Sequence, residues 1–279
     1  MACGCCDCAG MLGIGWGGSP VSAALLRRLF AHPLTVSLSI DDPETTELRK
    51  QIIISKPMLK SIYDEWYSAL ADGLPAVGGK ILELGSGAGF CDRVLPEVIT
   101  SDIFYCNDVR IVADAQRLPF GNGSLRAIVM TNVLHHMPNV HSFFAEATRC
   151  LRKGGKILMV EPWVTWWSSL VYKHLHHEPF DPEAREWSFP AAGHLSSANS
   201  AIPWIVFVRD RSKFESQFPE LSIEQIRPFL AFRYLLSGGV GMRSFTPDFL
   251  QIAWAGLERL LDSQMYRLGM FAFVSLRRV

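Results

Sequence analysis

Short apolar segments, separated by turn residues, constrain the fold of this chain more than any other feature. Five of them lie between residues 80 and 162, with the sequences KILEL, EVITSD, VRIVAD, LRAIVMTNVL and GKILMVEP. Continuous apolar runs of this length are typical of strands that are covered on both faces, as in a parallel sheet. A helical pattern over residues 140–151 separates the last two, with Gly154 and Gly155 as its expected stop. Strand, helix and strand in this order predict a right-handed parallel crossover.

Further elements flank this alternating region. Helices are predicted from about Ser19, from Pro43 to Ile54 and from Met58 to Leu70, and a closing helix is predicted with Thr246 as its cap. The segment GMFAFVSLRRV predicts a last strand. The predicted organisation is a flexible tail over residues 1–20 and one domain over residues 21–279, with N-terminal helices over 21–75, a ligand-binding core over 79–162 and a substrate lid or insertion over 163–215.

The balance of charge limits the classes of partner. The chain has 27 basic and 27 acidic residues, so no net field would attract nucleic acid, and a small-molecule partner is expected. No segment predicts a membrane span. Cys91, Cys106 and Cys150 are typical of reduced thiols in a cytoplasmic protein. The cysteines between Cys3 and Cys8 lack zinc-knuckle spacing and are expected to belong to the tail. The oligomeric state stays open.

The first apolar segment runs into the alternating glycines Gly85, Gly87 and Gly89. A strand that breaks into glycines before a helix leaves backbone N–H groups to meet a ligand, and the positive helix end favours an anionic group. A β-carbon at Gly85 or Gly87 is expected to keep that ligand away. Dinucleotide-binding loops place a glycine at the sixth position, where this chain has Phe90. The pattern therefore disfavours a pyrophosphate ligand and an NAD-dependent oxidoreductase.

Acidic residues flank the glycines. Glu83 is expected to place a carboxylate close to the loop, which suits a cationic amino group better than a pyrophosphate. Asp102, at the end of the second predicted strand, is placed to accept from a ribose hydroxyl. After the third strand, the Asp114 carboxylate is placed for the exocyclic amine of an adenine, and the Ala115 N–H for a ring nitrogen. An amino-acid end, a ribose and an adenine together indicate S-adenosylmethionine.

In these residues the chain resembles class I S-adenosylmethionine-dependent methyltransferases of the small-molecule type. The matching stretches are ILELGSGAG, VADAQRLPFGNGSLRAIVMTNVLHHM and ATRCLRKGGKILMVEPW, between Ile81 and Trp163. The resemblance implies an α/β fold with a Rossmann-like, seven-stranded, mostly parallel sheet, helices on both faces and an antiparallel last strand. The chain departs from the family in two places. The short spacing between Asp102 and Asp114 leaves room for no more than a turn in place of a helix, and Arg126 replaces a common acidic residue.

The sequence thus predicts an enzyme that transfers a methyl group from S-adenosylmethionine to a small acceptor, with O-methylation favoured. Because the sulfonium methyl group is already activated, the protein would mainly align the reactants and exclude water. The alternative is a non-catalytic protein that binds S-adenosylmethionine for assembly or regulation. The residues predicted to bind the cofactor are Glu83, Gly85, Ser86, Gly87, Gly89, Asp102, Asp114, Ala115 and Asn132.

Two histidines and one glutamate are the predicted catalytic residues. If the acceptor is a hydroxyl, histidine is a suitable base because it titrates near neutral pH. His135 and His136 follow the fourth predicted strand, and Glu161 ends the fifth; His136 is favoured among them. The alternative is that one histidine packs as a polar core residue and the other faces solvent.

A second polar group lies in the insertion, in the sequence YKHLHHEPFDP. It contains His174, His176, His177 and Glu178, and on a helix His174 would share a face with His177 and with Glu178. No second cluster supplies obvious further ligands, so no metal is expected, and contact with substrate is favoured.

Tryptophans are concentrated in or beside the insertion that follows Pro162. Together with aromatic residues of the third predicted helix, they are typical either of core packing or of a wall around an apolar or ring-shaped acceptor. The residues predicted to contact the substrate are Tyr63, Trp66, Trp163, Trp167 and His177.

Overall fold

The computed structural model describes residues 32–34, 43–176, 178–190 and 197–279. The predicted tail, the helix expected near Ser19, the cysteines between Cys3 and Cys8, and His177 lie outside these residues. Within the described part of the chain, no helix has both the length and the apolar character that a membrane span requires.

The apolar segments form one seven-stranded sheet of order β3-β2-β1-β4-β5-β7-β6. Its strands are β1 (Lys80–Leu84), β2 (Val98–Asp102), β3 (Ile111–Val112), β4 (Leu125–Thr131), β5 (Leu151–Pro162), β6 (Leu221–Phe229) and β7 (Phe271–Arg278). Neighbours from β3 to β5 are parallel, whereas β7 runs antiparallel to both β5 and β6. The predicted mostly parallel sheet with an antiparallel last strand is confirmed.

Helices accompany the strands in the described residues. They are α1 (Pro43–Ser55), α2 (Pro57–Asp72), α3 (Val140–Cys150), α4 (Trp166–His174), α5 (Ile202–Trp204), which continues into a π-helical turn over Ile205–Arg209, α6 (Arg211–Gln217), α7 (Arg233–Leu236), α8 (Gln251–Leu260) and α9 (Met265–Leu268). Between α1 and α2, Lys56 is extended, with φ −105° and ψ 103°, because it precedes Pro57.

Alternation along the strands gives the sheet two apolar faces. Leu82 and Leu84 of β1 belong to one buried cluster, to which α3 contributes Phe143 and Phe144. Ile81 belongs to the cluster on the other face, against which α2 buries its whole apolar stripe. Adjacent side chains of a strand point to opposite faces, so the β1 sequence itself requires a helix on each side.

Three local predictions are wrong. The glycine loop leads only into a 3₁₀ turn, Cys91–Arg93, not into a helix. Helix α3 ends a full turn before Gly154, because Leu151 is already extended and pairs with β4. Thr246 does not cap the closing helix, since a 3₁₀ turn, Asp248–Leu250, intervenes before α8 begins. The expected loss of the helix between β2 and β3 is confirmed.

Candidate active site

A cavity of about 450 Å³ opens where β1, β2, β3 and β4 end at their carboxyl ends. Open parallel sheets bind ligands at this edge, so the topology itself selects the location. Of the residues predicted to bind a cofactor, the cavity is lined by Gly85, Gly89, Asp102, Asp114, Ala115 and Asn132. Ser86 and Gly87 do not line it: the Ser86 hydroxyl accepts from the Ser101 N–H at 3.0 Å, and Gly87 packs against protein.

The glycines of the loop are required by packing within the protein. Gly85 has φ +69°, and a β-carbon there would lie 2.4 Å from a methyl group of Val133. A β-carbon at Gly87 would lie 2.5 Å from the Thr46 methyl group and 2.9 Å from Asp102 Oδ2. The nearest neighbours of such β-carbons are side chains of the chain itself, so packing alone already requires glycine at these positions.

Two carboxylates are fixed at the strand ends by backbone amides. Asp102 accepts from the Gly87 N–H at 3.0 Å and from the Phe104 N–H at 3.1 Å, one on each oxygen. Asp114 accepts from the Gln116 N–H at 2.8 Å. Both carboxylates are thus held in position at the cavity wall.

Glu83 does not line the cavity, although its position just before the glycine loop predicts that it would. It precedes Leu84, which lines the cavity, so its side chain points to the opposite face of β1. There it is 2% exposed, and its Oε2 has no hydrogen-bond partner among the described residues. Burial raises the pKa of Glu83 to about 7, although hydrogen bonds from Ser86 and Cys91 oppose the shift.

A 3₁₀ turn, Leu134–His136, follows β4 and brings both predicted catalytic histidines to the cavity. Glu161 of β5 holds this turn: its Oε1 accepts the Val133 and Leu134 N–H groups, each at 2.8 Å. Its Oε2 lies 2.7 Å from His135 Nδ1. Glu161 is fully buried and does not line the cavity, so this arrangement makes it a positioning residue rather than one that touches a ligand.

A glutamate from the insertion completes a polar cluster with these histidines. Glu178 Oε2 lies 3.3 Å from His135 Nε2, and its Oε1 lies 3.6 Å from His136 Nε2. Burial alone would lower the pKa of His135, but hydrogen bonds to Glu161 and Glu178 raise it to about 9. Burial and the charge on His135 lower the pKa of His136 to about 3.

The family model for a methyltransferase domain matches residues 82–159, which run from β1 to β5 and include the glycine loop, Asp102, Asp114 and both histidines. This chain contains a methyltransferase domain. The resemblance drawn from its motifs is thereby confirmed.

The solved structures that are similar to this chain include two methyltransferases. One is geranyl diphosphate C-methyltransferase from Streptomyces coelicolor A3(2), with 16% identity over 85% of this chain and 86% of that one, and a TM-score of 0.44. Another is an S-adenosylmethionine-dependent methyltransferase from Mesorhizobium loti, with 20% identity over 76% of this chain and 96% of that one, and a TM-score of 0.45. No curated protein sequence compared with this chain matches it.

The predicted aromatic wall of the methyltransferase is only partly present. Tyr63 lines the cavity, but Trp66, Trp163 and Trp167 do not. Trp66 is fully buried and stacks on Tyr234, Trp163 is 3% exposed in the core, and the Trp167 indole donates to the Ala231 carbonyl at 2.8 Å. Core packing, the alternative interpretation, therefore accounts for these tryptophans.

Sequence reasoning missed several residues of the wall. They include Arg49, Tyr172, Tyr234 and Phe271. Each comes from an element outside the matched motifs, and only Tyr172 belongs to the segment expected to cover the site. The face expected to join His174 and Glu178 is absent, because α4 ends at the exposed His174 and Glu178 lies beyond the helix.

Proposed function

We propose that this chain transfers a methyl group from S-adenosylmethionine to an oxygen of a small acceptor that carries an apolar or ring-shaped part. One observation carries the proposal: a single cavity joins the two strand-end carboxylates to the polar cluster of His135, His136 and Glu178. The carboxylate end suits a nucleoside, and the cluster suits a group that must lose a proton.

The residues at the strand ends fit the cofactor. Asp102 uses one lone pair of each oxygen for a backbone N–H, and a carboxylate offers about four such sites, so it retains capacity for the ribose hydroxyls. Asp114 and Ala115 would border the adenine, and the backbone at Gly85 and Gly89 would border the amino-acid end. Glu83 would act only through the loop, since it lies on the other face of β1.

When bound, the cofactor supplies a methyl group on a sulfonium: the bond from acceptor oxygen to carbon forms as the carbon–sulfur bond breaks, and its electron pair stays with sulfur. The chain's part is to align the reactants, which can contribute about 7 to 11 kcal/mol, and to keep water out. Tyr63, Tyr172 and Tyr234 supply the ring-lined wall for the acceptor. The predicted insertion acts as the lid through two of its described residues, Tyr172 and Glu178.

Calorimetry with S-adenosylmethionine, followed by an assay for S-adenosylhomocysteine on a panel of phenols, catechols and aliphatic alcohols, tests the proposal. Asp102→Ala is expected to weaken cofactor binding about tenfold or more, because an acceptor for a charged hydrogen bond is lost. Asp108→Ala is the matched control, since its carboxylate is 64% exposed, pairs with Lys50 and lies outside the cavity wall.

Binding that is unchanged in Asp102→Ala would contradict the nucleoside assignment. Tight binding with no product from any acceptor, including a metabolite extract, would instead favour the non-catalytic alternative.

A further inference from the structure

The cluster of His135, His136 and Glu178 has the donor set of a metal centre. One atom from each residue, two imidazole nitrogens and a carboxylate oxygen, lies within 4.8 Å of the others. We propose that these three side chains bind a divalent transition ion of the zinc or iron(II) class, which acts as a Lewis acid toward the acceptor oxygen. The role of the ion rests on the proposed function, whereas its binding does not.

The orientation of both imidazole rings carries the proposal. His135 directs Nδ1 to Glu161 at 2.7 Å, and His136 directs Nδ1 to the Ser197 carbonyl at 3.4 Å. Metal-ligating histidines are fixed in this manner, with one ring N–H donated to a carboxylate or carbonyl and the other nitrogen presented to the ion. Both Nε2 atoms therefore converge on Glu178.

The contacts to Glu178 are longer than the bond that fixes His135 to Glu161. Charge-assisted N–H···O bonds are about 2.7 to 2.9 Å long, as the bond between His135 and Glu161 is. The two contacts to Glu178 are longer, at 3.3 and 3.6 Å. Ligands bound at about 2.0 to 2.1 Å in a tetrahedral arrangement lie roughly 3.3 to 3.4 Å from one another. The separation of His135 Nε2 and Glu178 Oε2 has this value, whereas the contact of His136 is to the other carboxylate oxygen.

The chemistry of the donors selects the kind of ion. Magnesium and calcium prefer oxygen ligands, whereas imidazole with a carboxylate suits zinc, iron and related ions. The Ser200 hydroxyl donates to Glu178 Oε2 at 3.2 Å, which supports the carboxylate as the other partners support the rings.

All three ligands line the same cavity as Tyr63, so coordination positions that the protein does not fill would face the acceptor. Catalytic zinc sites have this form, with three protein ligands and one open position. An ion there would lower the pKa of an acceptor hydroxyl, whose proton then passes to solvent before the oxygen–carbon bond forms. This proposal replaces the sequence-based expectation that no metal is used.

The test measures metal binding without cofactor, on untagged full-length protein stripped with a chelator. Cobalt(II) is titrated and followed by its visible absorption, and zinc is titrated in competition with it. The N-terminal cysteines are changed in the same chain, as Cys3→Ser, Cys5→Ser, Cys6→Ser and Cys8→Ser, so that thiolates cannot account for the signal. One equivalent of ion with a nitrogen and oxygen spectrum is expected.

Substitutions of the proposed ligands and of their partner test where the ion binds. The nearly isosteric Glu161→Gln is expected to lower affinity about 10- to 100-fold as a partner of a ligand, and loss of a ligand in Glu178→Gln or His136→Ala is expected to lower it further. His174→Ala is the control, because this exposed histidine lies only four positions from Glu178 and is not part of the cluster. Circular dichroism checks that each variant is folded.

Failure to bind one equivalent, or binding that is unchanged in both Glu178→Gln and His136→Ala, would overturn the site. Methyl transfer at full rate in stripped protein would overturn the role of the ion and leave the proposed function intact. An ion bound at this cluster in a protein that does not bind S-adenosylmethionine would leave the site intact while the proposed function fails.

Discussion

At the residue scale, the shape of the cavity depends on how the glycine loop packs against its neighbours. The Gly87 N–H holds Asp102, and the space where a β-carbon would lie at Gly87 is filled by Thr46 and Asp102. The loop, the end of β2 and helix α1 therefore fit together at a single glycine. This packing explains the glycine at position 87 of the GxGxG pattern as well as a contact with a ligand would.

Gly87→Ala is accordingly expected to weaken S-adenosylmethionine binding about tenfold, because the new methyl group would displace the Asp102 carboxylate. Calorimetry measures the effect. Gly121→Ala serves as the control, since no atom lies within 4 Å of its added β-carbon. Equal affinities in the two variants would separate Asp102 from cofactor binding.

Glu83 predicts a dependence of stability on pH. Its pKa is raised by burial to about 7 in the folded protein, above its unfolded value, so its contribution is fully present below about pH 4.5 and is lost as pH rises through about 7. Relative to Glu83→Gln, the native protein should lose on the order of 3 kcal/mol of unfolding free energy across this window. Denaturant titrations at several pH values measure the difference. A difference that stays constant between pH 4.5 and 7.5 would contradict this account.

At the element scale, an ion network around the buried Arg233 joins the helices behind the cavity. Arg233 of α7 donates to Glu65 of α2 at 2.6 and 2.7 Å and to Glu258 of α8 at 2.6 Å. Glu258 also accepts the Phe232 and Arg233 N–H groups. Since Tyr234 of the same short helix lines the cavity, the network fixes one wall of the site.

Glu258→Ala is expected to reduce the free energy of unfolding by about 3 kcal/mol, because it removes one of two partners of a buried guanidinium and leaves backbone donors unmatched. Glu215→Ala removes a half-exposed ion pair with Arg211, which also joins an arginine and a glutamate. A loss of unfolding free energy below about 0.5 kcal/mol is expected for this variant. Chemical denaturation compares the two. Similar losses in both variants would show that the network does not stabilise this wall.

The elements of the sheet could be predicted from the sequence because each strand is a continuous apolar run that only a doubly covered sheet accommodates. The location of Asp102 and Asp114 at the cavity could be predicted from that topology alone. The direction of Glu83 could have been predicted too, since alternation with Leu84 turns one of the two away from the cavity.

The acceptor side could not be predicted in the same manner. Glu178 meets His135 and His136 across about forty positions, and no periodic pattern links them. The helical face expected through His174 is absent because α4 ends at that residue, and Glu178, beyond the helix, contacts the two histidines that follow β4. Contacts between distant loops depend on packing that a local pattern does not contain.

At the scale of the whole molecule, the cavity is lined by residues from inside and from outside the segment that matches the methyltransferase family model. Its first four strands end at the carboxylates and the histidine turn, and these lie within the methyltransferase match. Residues from α1, α2, the insertion, α7 and β7 enclose the same cavity from outside that match. The proposed cofactor end thus lies within the matched segment, and the proposed acceptor end is enclosed mainly by residues outside it.

The most direct test of the account is a crystal structure of the protein with S-adenosylhomocysteine. We expect the ribose on Asp102, the adenine beside Asp114 and Ala115, and the sulfur directed toward His136 within the same cavity. An empty cavity at saturating ligand, or a nucleoside bound away from these strand ends, would contradict it.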